Sequence, residues 1–436
     1  MIVRIHLSAL GCRLNEAELE QWAGAFTAAG DKVSESAENA DVMVLNTCAV
    51  TKEAVRKSRQ RVQRLQRANP EAKLVVSGCY SALESPEALA ELGIDLIVPN
   101  TNKDQLVPLT RAEFQQPTMP QSATVPAETA LFARNRHRAF IKIQDGCRYR
   151  CTFCIVTVAR GAERSRPIDT LVDEVQALAA SGVHEVVLTG VHVGGYGSDL
   201  DTNLYTLVCA LISDTDIPRI RFASVEPWDL SPEFFTLFDN PRVQPHMHLP
   251  LQSGSDTVLR RMARRCKTRN FREMTDTLRN QVPEFNITTD IIVGFPGETE
   301  EEWQQSIAFI ESMDFGHIHI FSYSEREGTR AASLPNSVPK PIRTQRSKAL
   351  HELAAQQKQR VLSSMLNRIG HDPQNVLWER GEKQTDGRFK HWGYTPNYLK
   401  VTTTSDQDLT NSVLPTQLTA VEKGFFVGEL LRSAHD

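Results

Sequence analysis

Eight cysteines stand in the 436-residue chain, and three of them, Cys147, Cys151 and Cys154, fall in one short stretch, IQDGCRYRCTFCI, residues 143–155. Gaps of three and two residues let a single loop wrap one face of a cubane [4Fe–4S] cluster with three thiolates. One iron is then left without a protein ligand, and an open iron is a place for chemistry. Two other readings fit the same residue types. One is a zinc site completed by a distant Cys or His; the other is a set of buried thiols, cysteine being among the residues most often buried.

Three further cysteines share a topological position. The apolar runs 2–7, 42–45, 74–76 and 94–98 are separated by helical stretches, the pattern of parallel strands with crossover helices. Cys12 follows the first run, Cys48 the second and Cys79 the third, so all three fall on loops leaving the carboxyl ends of strands. Parallel strands share that edge, where open α/β sheets hold ligands. A second three-cysteine cluster is therefore expected there, against the alternative of three small buried apolar residues. Residues 52–67 carry Lys52, Arg56, Lys57, Arg59, Arg61, Arg64 and Arg67 against Glu53 alone. This helical segment marks a positive surface suited to phosphate, or else an ordinary solvated face.

The elements that must position these groups fall into three expected domains, 1–114, 136–369 and 370–436. The first two are joined by a linker, 115–135, in which Pro117, Pro120 and Pro126 stand among Ser, Thr, Ala and Gln. In the central domain the runs 140–143, 186–188, 220–223, 247–251, 287–293 and 318–321 alternate with helical stretches. Six βα units imply a parallel sheet curved into a partial barrel, with function at the carboxyl ends of its strands. Gly190, Gly194 and Gly195 let backbone approach a cofactor closely, while Ser224, Glu226 and Gln252 are polar groups able to bind it. His246 and His248 share a strand face and read as packing or hydrogen-bonding residues. Cys209 and Cys266 read as structural. Residues 341–369 read as a helix ended by Gly370, and the runs 376–378, 398–401, 417–421 and 425–431 suggest a small antiparallel barrel. Around it Arg380, Lys383, Arg388, Lys390, His391, Trp392, Tyr394, Tyr398 and Lys400 mix cations with aromatics, as single-stranded RNA binding favours, unless the domain is a simple cap.

Composition narrows the setting. No apolar run approaches the length of a membrane span, and the first residues, MIVRIH, lack a secretory pattern, so a cytoplasmic protein without membrane contact is expected. Thiols stay reduced in that compartment, which favours metal or chemistry over disulfides. A net charge of −4 leaves any anionic partner to be met by local basic patches.

The motifs carry a resemblance. With Phe153 inside the last gap, the spacing Cys147, Cys151, Cys154 resembles the radical S-adenosylmethionine (SAM) family, whose open iron chelates the amino and carboxylate groups of SAM beside the aromatic residue. LGCRLNEAE (10–18), LNTCAVT (45–51) with Glu53, Ala54, Lys57, Ser58 and Arg59, and VSGCY (76–80) look like the N-terminal domain of the methylthiotransferases. That resemblance implies an auxiliary [4Fe–4S] cluster on Cys12, Cys48 and Cys79. LTGVH (188–192) with the GGYG at 194–197, ASVEP (223–227), HMHLPLQSG (246–254), DIIVGFPGET (290–299) and YSEREGT (323–329) match the same family, and GYTPNYLKV (393–401) resembles its RNA-binding TRAM barrel. Two departures stand out: Cys266 occupies a position where the family usually has an aromatic, and residues 155–160 lack a proline often found there.

The resemblance implies replacement of an adenine C2–H by a methylthio group. That bond is inert to acid–base chemistry, so the cofactors must carry the hard step. An electron from the Cys147, Cys151, Cys154 cluster cleaves SAM to a 5′-deoxyadenosyl radical that takes the hydrogen, and a sulfur at the auxiliary cluster, methylated by a second SAM, is transferred. GCRLNEAE and NTCAVT look like the branch acting on N6-threonylcarbamoyladenosine at position 37 of tRNA. The alternatives are the isopentenyladenosine branch, the branch modifying a ribosomal protein, and a non-catalytic iron–sulfur RNA-binding protein. On this reading Arg13, or else Arg160 or Arg326, meets the substrate carboxylate. Arg56, Lys57, Arg61 and Arg64 meet phosphates of the anticodon stem-loop, and a reducing protein and a sulfur source are required.

Overall fold

The computed structural model describes residues 2–114, 138–379 and 381–431. The expected linker and Arg380 lie outside them. Strands β1 (Arg4–Ala9), β2 (Lys32–Ser34), β3 (Val42–Thr47), β4 (Lys73–Gly78) and β5 (Leu96–Val98) form one parallel sheet in the order β2-β1-β3-β4-β5. Strand alternation divides its core between two helical layers. Ile5, Leu7, Val42, Val44 and Val75 pack on one side with Leu19, Trp22 and Phe26. Met43, Leu45, Leu74 and Val76 pack on the other with Val62 and Leu65. The edge strand β2 was not expected, because its KVS contains a single apolar residue.

The central region supplies β6 (Arg138–Lys142), β7 (Glu185–Thr189), β8 (Arg219–Phe222), β9 (His246–His248), β10 (Asn286–Val293) and β11 (His317–Ser322). Two parallel triples, β8-β7-β6 and β9-β10-β11, are joined by the parallel bridges Ile220 to Val243 and Ser224 to His248. The result is the expected six-stranded partial barrel, with β6 and β11 at its two ends. Ala139, Ile141, Val186, Leu188, Ile220, Phe222, Met247, Ile287, Ile291 and Ile318 pack outward into the apolar core. The alternate positions face the lumen, which is therefore polar: Arg138, Lys142, Glu185, Arg219, Arg221, His246, His248, Thr288, Asp290, His317 and His319.

A 30-residue helix, Lys340–Ile369, leads to β12 (Gln374–Trp378), β13 (Glu382–Lys383), β14 (Phe389–Tyr394), β15 (Lys400–Ser405), β16 (Ser412–Glu422) and β17 (Phe425–Leu430). The order β12-β16-β17-β15-β14 closes through β12 to β14 into a five-stranded barrel. Its pairings are antiparallel except β15 with β17. Val376, Trp378, Val401, Leu418 and Phe426 fill it, capped by Val361, Leu362 and Met365 of the long helix.

Not all of its expected RNA-facing residues are free. Tyr394 and Tyr398 stack on each other at 4.7 Å, with Arg138 over both rings and Arg221 over Tyr398 at 4.7 Å. Asn397 donates to Glu284 O, and Asn286 donates to Asn397 O. These residues seal the amino-terminal end of the central barrel, whose arginines need aromatic faces to lie against. His391 is buried between Glu379 O and the Leu409 amide. Trp392 keeps an accessible face, with Lys390 and Lys400 over it and Phe425 edge-on; Lys383 and Arg388 are exposed.

At that sealed end one carboxylate serves three cations. Glu185 accepts two hydrogen bonds from Arg221, at 2.9 and 3.0 Å, with Arg219 and Arg138 at 3.7 and 3.9 Å. Burial opposes its ionisation, but Arg221, Arg138 and Arg219 hold its pKa down to about 2. A depressed carboxyl pKa contributes stability above the unfolded value of about 4.3, lost as pH falls toward 2. Glu185→Gln should therefore cost about 3–5 kcal/mol at pH 7, since the buried Arg221 and Arg219 lose their counter-charge while Arg138 keeps Glu379. Thermal midpoints should show a wild-type advantage that shrinks below pH 4.

Candidate active site

All eight cysteines are free thiols. Cys12 sits at the N-cap of the Arg13–Ala28 helix, and Cys79 opens the Cys79–Leu83 helix. Each follows a glycine in the left-handed region, Gly11 at φ 100° and Gly78 at φ 107°. A side chain at Gly11 would put a carbon 2.6 Å from Cys48 Sγ, and one at Gly78 would strike Thr47 O. Glycine is thus required where the chain folds around the sulfurs. Cys48 is clamped by Ser58, whose hydroxyl donates to Cys48 O at 2.8 Å and accepts from its amide at 3.2 Å. The three thiols converge: Cys48 feels the charge of Cys12 and Cys79, and Cys12 that of Cys79.

Cys147, Cys151 and Cys154 lie on the loop after β6. It is pinned by Cys147 N to Gly161 O, Thr152 N to Met262 O and Ala331 N to Thr152 O. Tyr149 N donates to Cys147 Sγ at 3.4 Å, and Arg264 reaches Cys151 Sγ at 3.8 Å. Burial raises Cys147 to about 12, and both Cys48 and Cys154 to about 11. These thiols are neutral on their own, so binding a metal must expel their protons. Cys147 also has Glu163 and His192 close by, but this is no zinc site. His192 Nδ1 is 2.5 Å from Glu163 and Nε2 is 2.6 Å from Asp229, leaving no lone pair for a metal. Burial would lower the His192 pKa, yet Asp229, Glu226 and Glu163 together raise it.

The other residues expected to bind a cofactor follow the carboxyl ends of the barrel strands β7, β8 and β9. Glu226 is a half-buried residue whose Oε2 is inaccessible and without a hydrogen-bond partner among the described residues. Burial raises its pKa, and His192 and Arg264 offset this only in part. Its charge reaches Cys147 and Cys154. His192 Nε2 stands 3.9 Å from that oxygen, so the carboxylate keeps spare acceptor capacity beside three thiols, which suits the amino group of an amino-acid moiety. A carbon added at Gly190 would come within 3.0 Å of Gln144 Oε1, which accepts from the amides of Val191 and His192. Ser224 is exposed at the end of β8. Gln252 has φ 79° and bonds through its backbone to Asp290 and Ile292. Phe153 packs against the cluster of Val258, Met262, Phe295, Tyr323 and Ala331, anchoring the loop.

A buried ionic network joins the two cysteine loops, and the sequence reading missed it. Glu18 takes Lys103 at 2.5 Å, Arg160 at 2.9 Å and Lys142 at 3.2 Å. Asp145 takes Arg160 and Lys142, each at 2.9 Å. Arg160 also donates to Asn15 Oδ1 at 2.8 Å, and Asn46 donates to Glu18 at 2.8 Å. Burial alone would raise the Glu18 pKa, but Lys103, Arg160 and Lys142 hold it well below the usual carboxylate range. Three cations face two anions, and the charge of Arg160 reaches Cys12 and Cys48. A surplus buried cation there suits an anionic thiolate cluster. Arg160 is thus saturated and is not a substrate reader. The available signal was charge inside apolar runs, Lys142 within AFIKI and Arg160 after VTVA.

Arg13 differs. Its side chain is 57% exposed, paired with Glu16 at 2.8 Å and lying 5.0 Å over the Phe140 ring. The half-buried Arg326 has an unpartnered Nε among the described residues. On the Lys52–Ala68 helix Ser58, Val62 and Leu65 face inward. Arg56, Lys57 and Arg64 are exposed and Arg61 half-buried, with Arg56 and Lys57 sharing Glu53. One helix thus clamps Cys48 on one side and presents cations on the other. The network generates a test. Arg160→Met should lower the thermal midpoint of the cluster-free chain by an amount equivalent to about 3–5 kcal/mol. Arg160→Lys should recover only part of this, because an ammonium cannot span three acceptors. Equal melting of wild type and Arg160→Met would show that the network does not hold the two loops together.

Comparison with known proteins agrees with this geometry. Residues 141–310 match the Radical SAM superfamily, and residues 4–99 match the Uncharacterized protein family UPF0004. The chain is 33% identical to the threonylcarbamoyladenosine tRNA methylthiotransferase MtaB of Bacillus subtilis over 98% of this chain and 96% of that one. It is 35% identical to the protein of that name from Aquifex aeolicus, over 82% and 89%. It is 34% identical to the tRNA-2-methylthio-N(6)-dimethylallyladenosine synthase of Caldicellulosiruptor saccharolyticus, over 86% and 84%. In fold it resembles the radical SAM methyltransferase TsrM of Kitasatospora setae, with TM-score 0.56 and 16% identity over 76% and 77% of the chains. Among the described residues no helix is long and apolar enough to cross a membrane. With two cysteine triads and this similarity along nearly its whole length, the chain belongs to the radical SAM methylthiotransferases, transferases that use two [4Fe–4S] clusters and S-adenosylmethionine.

Proposed function

We propose that the chain places a methylthio group on C2 of N6-threonylcarbamoyladenosine at position 37 of tRNA. The observation that carries this reading is the similarity over 98% of the chain to a relative named for that nucleoside. An exposed guanidinium, Arg13, one residue from Cys12, adds to it. In this assignment Cys147, Cys151 and Cys154 hold the SAM-binding cluster, and Cys12, Cys48 and Cys79 the auxiliary one. When bound, the cofactors supply the radical chemistry that removes the C2 hydrogen and delivers sulfur, which no side chain here can do. Glu226 would accept a hydrogen bond from the SAM amino group, Ser224 and Gln252 would meet its remaining polar groups, and Gly190 lets the backbone approach. Phe153 fixes the loop on which three of the thiolates sit. Arg13 pairs with the substrate carboxylate, a contact that an isopentenyl group cannot make.

Residues 1–114, 136–369 and 370–436 divide the work between sulfur delivery, radical generation and RNA binding. Arg56, Lys57, Arg61 and Arg64 meet phosphates of the anticodon stem-loop, helped by the Lys390, Lys400 and Trp392 face of the small barrel. A reducing protein and a sulfur source complete the reaction, which we place in the cytoplasm, where thiols remain reduced.

Nucleoside mass spectrometry of reactions with threonylcarbamoylated stem-loops tests the assignment. Replacing Cys147, Cys151 and Cys154 by Ala should halve bound iron and abolish reductive SAM cleavage. Replacing Cys12, Cys48 and Cys79 should also halve the iron, leave SAM cleavage, and end methylthiolation. Equal methylthiolation of an isopentenyladenosine stem-loop by wild type would sink the substrate assignment. Separately, replacing Arg56, Lys57, Arg61 and Arg64 by Gln should weaken tRNA binding and flatten its salt dependence by about one unit of log–log slope per lost phosphate contact. An unchanged slope would return that helix to being a solvated face.

A further inference from the structure

The barrel lumen holds a set of side chains that neither cysteine loop uses. His248, Asp290 and His319 come from the adjacent strands β9, β10 and β11, where register pairs His248 with Thr288 and Asp290 with His319. One ligand atom from each lies within 4.8 Å of the other two. His248 Nε2 is 3.2 Å from Asp290 Oδ1, while its Nδ1 is 2.9 Å from Thr288 Oγ1. The His248 and His319 rings are 5.3 Å apart, edge to face.

These groups are reachable because the barrel does not close. His319 stands on the inward face of the terminal strand β11, yet it is exposed, and the next residue on that face, Phe321, is 45% exposed. At the other end of the sheet Phe140 of β6 carries the Arg13 guanidinium over its ring at 5.0 Å. At the terminal-strand side the same N-terminal region reaches across, Lys52 donating its amide to Ser324 at 3.2 Å and standing 3.7 Å from Glu325, just beyond β11. Two imidazoles, a carboxylate and Phe321 thus stand on one side of the opening, and the Arg13 guanidinium over Phe140 stands on the other.

We propose that His248, Asp290 and His319 form, with Arg13, the subsite that holds the polar N6 substituent of the target adenine. This inference rests on the threonylcarbamoyl reading above. That substituent presents a ureido group, a hydroxyl and a carboxylate. Asp290, oriented by His248, accepts from the ureido N–H or the hydroxyl, and His319 presents a ring nitrogen to the ureido oxygen or the hydroxyl. Arg13 pairs with the carboxylate, and Phe321 flanks the base. An apolar isopentenyl group would offer Asp290, His319 and Arg13 no polar contact in return for their loss of water, the arrangement that yields strong discrimination.

The test compares binding of labelled anticodon stem-loops carrying threonylcarbamoyladenosine or plain adenosine to the cluster-loaded protein, by fluorescence anisotropy. Wild type should prefer the modified stem-loop by about tenfold or more, one or more hydrogen bonds being at stake. Asp290→Asn and His319→Ala should each lose most of that preference while binding the adenosine stem-loop as before, with KM for the modified substrate rising more than kcat falls. His319→Gln, which keeps an N–H donor, should retain much of the preference. A preference intact in both loss variants, or a parallel loss for both stem-loops, overturns the subsite. Two imidazoles and a carboxylate also suit a transition metal. A stoichiometric metal beyond the cluster iron that Asp290→Asn lacks, with preference unchanged, overturns it in favour of a metal site. Wild type without preference would overturn the substrate assignment itself.

Discussion

A single buried carboxylate, Glu18, governs how the two halves of the site meet. It lies on the helix that begins at Cys12, and its partners Lys142 and Arg160 belong to the central barrel, before and after the loop bearing Cys147, Cys151 and Cys154. A buried ion pair gains little over apolar packing but is costly to break. Such a network therefore acts less as glue than as a register, permitting one docking of the two regions. Chemistry that takes a hydrogen from one carbon and returns a sulfur to it needs both centres held about that carbon, where errors of an ångström matter. Asn15, three residues past Cys12, and Arg160, six past Cys154, tie that separation to hydrogen bonds of fixed length.

The two buried clusters of positive charge show different solutions to the same problem. At the amino-terminal end of the barrel, Arg138, Arg219 and Arg221 share Glu185, Arg138 pairs with Glu379 as well, and the stacked rings of Tyr394 and Tyr398 lie against Arg138 and Arg221. That end is sealed. Beside Cys12, Lys103 lies 5.9 Å from the Trp22 ring centroid, while the charge of Arg160, left over after Glu18 and Asp145 are shared with Lys142, bears on Cys12 and Cys79. Positive charge left facing sulfur favours thiolates and an anionic cluster, whereas charge capped by rings has only a structural task.

Much of the fold was legible because its strands are apolar runs in a regular βα rhythm, and the placement of cysteines after such runs carried the site as well. The failures are of one kind. Cations and aromatics around residues 380–400 read as an RNA surface, yet composition does not say which face a ring turns to, and Tyr394, Tyr398 and His391 turned inward. Glu18 and Arg160 lie 142 residues apart, and no local pattern links them. Ser58 was quoted within a motif but had no role until its hydroxyl was found on Cys48. Lumen residues such as His319 were hidden because strict alternation, as in HIHIF, announces a strand without saying that its polar side faces a cavity.

The unclosed barrel ties these observations together. A complete ring of strands would bury a polar lumen whose histidines, carboxylates and arginines would then need partners from within. Stopping at six strands leaves β6 and β11 as edges and opens the lumen sideways. The Arg13–Ala28 helix lies against β6, and Lys52 of the basic helix approaches Glu325 at 3.7 Å and bonds Ser324 through its amide, just beyond β11. The cation-rich helix is thereby fastened to the far lip of the opening. A polyanion held on that helix is delivered to the gap, not to the carboxyl-end face alone. On the proposed reading the target base would enter from the side, between the two cysteine loops, at the edge that keeps the barrel open.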